Sequence, residues 1–472
     1  MKTLIQQLFF TLALSAGFSQ IASAVTFNIT PPAVSNTYNG TMTLQVSNLT
    51  SGDTVVVQKF LDLNANGVVD HGDYLVQQFN LTDGQAGLVI GGVTNLNVPG
   101  DTNAAAGQIT ATLNFQNGDF VQGTIGKYLF VLSSPTGAFL PVTNLFTVTN
   151  FPFAQKFTGN VVSNGVPVPD AVVLLFPSPR GGNHGPGTPL AGTVADNSGA
   201  YTIQAPPGTY VPMALGSGYV SDSSVAPILT LGSSVTIITN LSLVPATQSI
   251  SGQIVDANNF SIGLPGIFEP ASTQTGLIAI GFTDTNGNFS IGVTAGTWNV
   301  GNQDTGLIIH GYVGFQNGTN VAAGTTGIVG PFPKATAMFY GSVKDNLGNP
   351  VAGIDVSASD NNNGEFQADG YSDTNGNYFT GVVGGLGSGD PWQVQVAGES
   401  STNYIYSQPA FDQNGGGTNL AVGQALQVNI TAILATTQIS GNVQINGTNI
   451  VGVGVSANAT ISGQNYSTYV DT

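Results

Sequence analysis

Two short patterns recur in fixed order along this chain, and their spacing limits what it can fold into. Gly-x-Val or Gly-x-Ile opens at Gly159, Gly252, Gly341 and Gly441, at intervals of 93, 89 and 100 residues. Asp-x-x-Gly follows at 196–199, 284–287 and 373–376, and Asp471-Thr472 is the first half of a fourth. A period near 90 is longer than a solenoid unit of about 20–50 residues and suits one small domain per copy.

The residues between the landmarks speak for strands. In the copy that opens at Gly341, Ile354, Val356 and Ala358 alternate with Asp355 and Ser357, the pattern of a strand with one buried face. Asn349-Pro350 ahead of them is turn chemistry. In Asp-x-x-Gly the Asp side chain can bond backbone N–H groups just ahead, and Gly tolerates positive φ. Apolar residues alternate again after each glycine: Tyr201 and Ile203, then Phe289, Ile291 and Val293, then Tyr378. Strand, turn and strand are therefore expected to form a hairpin.

Taken in order, Gly-x-Val, a turn with Pro-Val and a small residue, then Asp-x-x-Gly-x-aromatic, the unit resembles the carboxypeptidase regulatory-like domain. The first copy carries the likeness in GNVVSNGVPVPDAVVLLF and ADNSGAYTIQAPPGTYVP. It covers roughly residues 155–472. It implies a seven-stranded, transthyretin-like sandwich of the carbohydrate-binding-like superfamily. It implies no peptidase activity, because the family name comes from a non-catalytic domain attached to some carboxypeptidases. The second copy departs from the pattern: Asn258-Asn259-Phe260-Ser261 replaces the Gly-x-Pro turn, and Leu264-Pro265-Gly266 follows late.

The fold class expected is all-β: a tandem array of Greek-key β-sandwich domains after a signal peptide. The divisions expected are 1–24 (signal peptide), 25–150 (an immunoglobulin-like sandwich), 151–246, 247–335 and 336–436 (repeats 1 to 3), and 437–472 (a truncated fourth). A sandwich without its later strands has an open edge, so 437–472 is expected to be less stable than repeats 1 to 3. The junctions at 240–252 and 429–441 resemble each other and are short, which predicts a semi-rigid rod.

Lys2, the apolar run at 8–14 and Ala22-Ser23-Ala24 make the export signal. That run is too short to span a bilayer, and no membrane insertion of the mature chain is expected. Without Lys2, 6 basic residues face 24 acidic ones, which argues against nucleic acid and anionic membrane surfaces. There is no cysteine, so neither disulfides nor thiol catalysis is available.

One stretch of the first domain carries chemistry. Asp62, Asn64, Asn66, Asp70 and Asp73 place oxygen side chains at loop positions 1, 3, 5, 9 and 12, with Gly67 at 6 and the Val68 carbonyl at 7. This resembles a calcium loop of the EF-hand or dockerin kind, in which alternate residues of a tight loop point inward. Calcium is the cofactor expected there; a metal-free Asn/Asp/Gly hairpin is the plain alternative. The flanks read as strands, so helix–loop–helix is not expected.

No catalytic constellation stands out. His71, His184 and His310 are dispersed, Glu269, Glu365 and Glu399 are unpaired, and no nucleophile elbow or P-loop occurs. Lys344 is the one candidate lysine for an isopeptide cross-link, and repeat 1 offers no equivalent. Trp298 and Trp392 sit where repeat 1 has Tyr210, which reads as core packing. Repeat 1 has a longer loop at 177–189 holding Arg180 and His184, which reads as plain surface.

The sequence reads as a secreted or cell-surface bacterial protein that is not an enzyme, a spacer, stalk or adhesion scaffold with an extracellular glycan or protein partner. Two alternatives stay open. One is the non-catalytic part of a larger secreted enzyme, which the full reading frame would decide. The other is a carbohydrate-binding module, which glycan binding would decide.

Overall fold

The computed structural model describes residues 24–117, 120–177, 189–301, 306–360, 365–387, 391–396, 404–437, 439–450 and 453–471. They form an all-β chain, with short 3-10 turns and no α-helix among the described residues. The export signal and most of the 177–189 loop lie outside them.

The first domain is two facing sheets. Thr26–Thr30, Thr41–Ser47 and Ile109–Asn114 make one; Tyr74–Thr82, Thr54–Asp62, Thr124–Ser133, Val142–Thr149 and Ala33–Ser35 make the other. Leu44, Leu61, Tyr128, Phe130 and Phe146 fill the space between them and are fully buried. Apolar alternation sets which side chains meet there.

Each repeat uses its landmarks in the same way. The opening strands are Lys156–Ser163, Gln248–Asp256 and Ala337–Asp345. Each pairs antiparallel with the strand after the Asp-x-x-Gly turn (Ala200–Gln204, Asn288–Val293, Asn377–Val382) and parallel with a closing strand. Gly159 and Gly341 lie where the closing strand crosses: a Cβ there would overlap the carbonyls of Thr239 and Val428. Tyr201 and Tyr378, opposite those glycines, donate their hydroxyls to the same two carbonyls at 2.7 Å.

The expected hairpin at Asp-x-x-Gly is corrected. The pre-turn strands, Ala191–Val194, Leu277–Phe282 and Phe366–Ala368, belong to the opposite sheet of each sandwich from the post-turn strands. The turn is a corner that carries the chain across the core. The local bonds are those the sequence implies. Asp373 Oδ1 accepts from the N–H of Asn375 and Asn377 at 2.8 Å, and Asp196 and Asp284 do likewise two and four residues ahead. What decides between hairpin and corner is the partner each strand finds elsewhere.

The pre-turn strands have a second role. Each adds to an edge of the preceding module: Gly192–Thr193 beside Thr124–Ile125 of the first domain, Leu277–Ile278 beside Ser221–Asp222, and Phe366–Gln367 beside Gly314–Phe315. Gln464–Asp471, the corresponding strand after Gly441, adds to Tyr404–Ser407 in the same way. In the Gly441-x-Val443 pattern Gly441 and Asn442 are exposed and Val443 is half-buried, and the pattern forms no strand. Among the described residues it has neither a post-turn nor a closing strand to lie between.

The rod expectation is also corrected, because the repeats pack round the first domain. In Val172–Pro177, Val173 and Leu175 face the core of repeat 1, while Val172, Leu174 and Phe176 join the first domain's core. Burial on both faces explains why this strand reads as an unbroken apolar run. Repeat 2 contributes Phe268, Ile278 and Ile280 to that core, with Phe268 stacked on Phe120 at 4.0 Å between centroids. Repeat 3 docks through Asn117, whose side-chain oxygen accepts the Tyr371 N–H at 3.0 Å, and Asn97, which donates to the Phe379 carbonyl.

Candidate functional site

The sequence-derived loop residues close the long hairpin of the first domain. Asp62 ends the strand Thr54–Asp62, Asp73 directly precedes Tyr74–Thr82, and Leu61 pairs with Tyr74. The ladder therefore holds both ends of the loop. Gly67 stands at φ +80° with open space around it, so the turn geometry, not crowding, asks for glycine.

Inside the loop the oxygens accept hydrogen bonds from the loop itself. The Asp62 carboxylate, buried at the strand end, takes the N–H of Asn66 at 3.1 Å and of Gly67 at 2.8 Å. Asp73 takes the N–H of Leu63 and of Asp70, both at 3.0 Å. One oxygen of Asp70 takes the side-chain amides of Asn64 and Asn66, at 2.8 and 2.9 Å. From outside, the Lys127 ammonium donates to the Ala65 carbonyl at 2.7 Å. Val68 is exposed.

The charges follow from those bonds. The side-chain amide of Asn64, the Gly72 N–H and the amide of Asn66 hold the Asp70 carboxyl below the usual range. Burial pushes the Asp73 carboxyl up, and the nearby charges of Asp70 and Asp62 push it the same way. Three carboxylates and two amides are thus brought into one loop. The donor set suits a hard divalent cation in kind. As the side chains stand, no group of three His, Cys, Asp or Glu among the described residues is placed to hold an ion.

The other residues that sequence reading raised are scattered. His71 lies inside the loop between Asp70 and Gly72, His184 and Glu399 lie outside the described residues, and His310 is half-buried with a ring nitrogen 3.2 Å from the Pro265 carbonyl. Lys344 is exposed. Trp298 and Trp392 are buried, and their indole N–H groups donate to the carbonyls of Thr294 and Val383 at 2.9 and 3.0 Å.

Sequence reading passed over Lys59. It is buried in the first domain, with its ammonium 4.6 Å from the Tyr128 ring centroid and within 6.0 Å of those of Phe115 and Phe130. Such rings attract a cation. The signal was there: Val55, Val57 and Leu61 set a period-2 register that points residue 59 inward.

No family model matches the chain, and no curated protein does. Among solved structures it is similar to the Bacillus anthracis TIE protein at 11% identity, over 86% of this chain and 74% of that one, with a TM-score of 0.18. It is similar to a streptococcal ancillary pilin at 12% identity, over 60% and 92%, with a TM-score of 0.18. It is similar to BcpA, the major pilin subunit of Bacillus cereus, at 12% identity, over 60% and 99%, with a TM-score of 0.16. No helix among the described residues is long and apolar enough to cross a membrane.

Proposed function

We propose that this chain is an exported, non-catalytic scaffold whose sandwich modules are locked to one another and present a fixed outer surface. The observation that carries the reading is the repeated edge pairing: four times a pre-turn strand pairs with a strand of the module before it. Strand addition joins modules through backbone hydrogen bonds and pockets for alternate side chains. A flexible tether would leave them free to swing. The likeness of each repeat to a carboxypeptidase regulatory-like module is supported by its two-sheet plan. Small-angle scattering on the whole chain tests the scaffold reading. One rigid particle whose profile matches this structure is expected; a profile that needs an ensemble of independently moving modules overturns it.

Calcium at the loop of Asp62, Asn64, Asn66, Val68, Asp70 and Asp73 belongs to the same reading. What supports it is the oxygen set, the ladder that holds both loop ends and the mutual repulsion felt at Asp73. Rotating the Asn64 and Asn66 amides would replace two N–H donors at Asp70 with two oxygens. A bound cation would then supply the positive charge those donors now provide and tie the hairpin end.

A further inference from the structure

A second concave site lies far from the calcium loop, between repeat 3 and the hairpin Gly454–Ile461/Gln464–Asp471. It is a cavity of about 540 Å³. That lies within the range of ligand sites, about 300–1,000 Å³. One wall is the strand Trp392–Val396. Trp392 and Val394 face the core there, and alternation turns Gln393 and Gln395 the other way, into the cavity. The hairpin supplies Asn465 and Tyr466, and Gln408 and Asp412 complete the lining.

Two of these polar groups are held in place before any ligand arrives. Gln393 donates its amide to the Gly416 carbonyl at 2.7 Å, and Gln408 donates to the Ser467 hydroxyl at 3.0 Å. Asp412 is the odd group. One carboxylate oxygen takes the Val394 N–H at 2.7 Å; the other is buried and has no hydrogen-bond partner among the described residues. A buried acceptor left empty is destabilising, more so when charged, so the site favours a ligand that brings a donor. Burial also pushes this carboxyl up to about 7.

The lining chooses the kind of donor. Amides and hydroxyls that both give and accept hydrogen bonds surround a single carboxylate, with Tyr466 beside them. Among the described residues no second acid stands in the lining to balance a multiply charged cation. We propose that this cavity binds an uncharged oligosaccharide, with a sugar hydroxyl donating to the free oxygen of Asp412 and the Gln393 and Gln395 amides bonding its neighbours.

Isothermal titration on the full chain tests this, using cellotriose, laminaritriose, maltotriose and triacetylchitotriose as probes, with spermidine as a cationic comparison. At least one trisaccharide should bind, with affinity falling roughly five- to tenfold in Gln395→Ala, the worth of about one hydrogen bond. Asp412→Asn should weaken it further. Gln395 is exposed, so its removal leaves the core untouched, and unchanged circular dichroism would confirm that. Failure of all four trisaccharides, affinity equal in both variants and wild type, or binding of spermidine in place of sugar would each overturn the proposal. None of these results bears on whether the modules form one rigid particle.

Discussion

The N–H of Val343 donates to the carbonyl of Gly376 at 2.7 Å. The two residues are the last of Gly-x-Val and the last of Asp-x-x-Gly, so the two sequence landmarks of a repeat meet in space. Val161 with Gly199 and Ile254 with Gly287 repeat the bond at 2.7 and 2.8 Å. Gly376 stands at φ +78°, and a Cβ on it would overlap the Val343 carbonyl oxygen. Backbone conformation and close approach therefore require glycine together.

Gly376→Ala should destabilise repeat 3 by about 2 kcal/mol or more, since left-handed strain and a backbone clash add. Gly348→Ala is the control: φ is +88° but the space is open, so about 1 kcal/mol is expected. Urea midpoints read through Trp392 fluorescence, in a Trp298→Phe background, give both values. Equal losses would show that the landmark contact adds nothing.

Tyr378→Phe should cost about 1 kcal/mol or somewhat more, because the Val428 carbonyl loses a buried donor. The same change at Tyr201 should cost a similar amount through Thr239. Repeat 2 has Phe289 at this position and forms no such bond. Denaturant titration checks the pair of variants.

Repeat 2 should respond to pH through Glu269. It is buried, one oxygen lacks a hydrogen-bond partner among the described residues, and burial raises its carboxyl from the ordinary 4.5 to about 8. The folded state thus holds a proton that the unfolded chain releases above about 4.5. Stability is full below that pH, falls as pH rises, and stops falling near 8. Glu269→Gln should be more stable than wild type at pH 8, with the gap closing toward pH 4.5. His310, lowered by burial from 6.5 to about 4, acts in the opposite sense: its contribution is whole above 6.5 and is lost as pH falls toward 4. Trp298 fluorescence in a Trp392→Phe background reports this module, and a pH-independent gap would refute the assignment to Glu269.

Calcium should raise the first domain's melting temperature in the full chain. At tenfold excess over Kd the gain is roughly 1.4 kcal/mol, and extracellular sites commonly work at about 10⁻⁴–10⁻³ M. Magnesium should do less, since its small octahedral shell suits a many-oxygen loop poorly. Calorimetry with calcium, magnesium or EDTA checks this. A calcium shift as large in Asp62→Ala/Asp73→Ala as in wild type would leave the loop an ordinary hairpin.

Asn117→Ala should loosen repeat 3 from the first domain. The side chain is buried and is the acceptor for the Tyr371 N–H. Hydrogen exchange at Tyr371 should quicken by roughly tenfold or more while exchange within the opening strand Ala337–Asp345 stays slow. Joint removal of Asn97 should raise the radius of gyration. An unchanged Tyr371 rate would mean that the two modules are not held there.

The sequence by itself determined the strands, the turn conformations, the landmark glycines and the inward aromatics. Alternation at Ile354, Val356 and Ala358 and the Asp373 turn are written within about ten residues, where side-chain chemistry acts on its own backbone. The loop at 62–73 was legible for the same reason. Tertiary structure alone decided that Asp-x-x-Gly turns a corner between sheets, that each pre-turn strand joins the module before it, and that the repeats gather round the first domain. Those choices rest on N–H and C=O groups that nearly every residue carries, so composition does not mark which edge will accept which strand. The cavity at Asp412 belongs with them, because Gln393, Asp412 and Asn465 meet only once the hairpin has paired with Tyr404–Ser407.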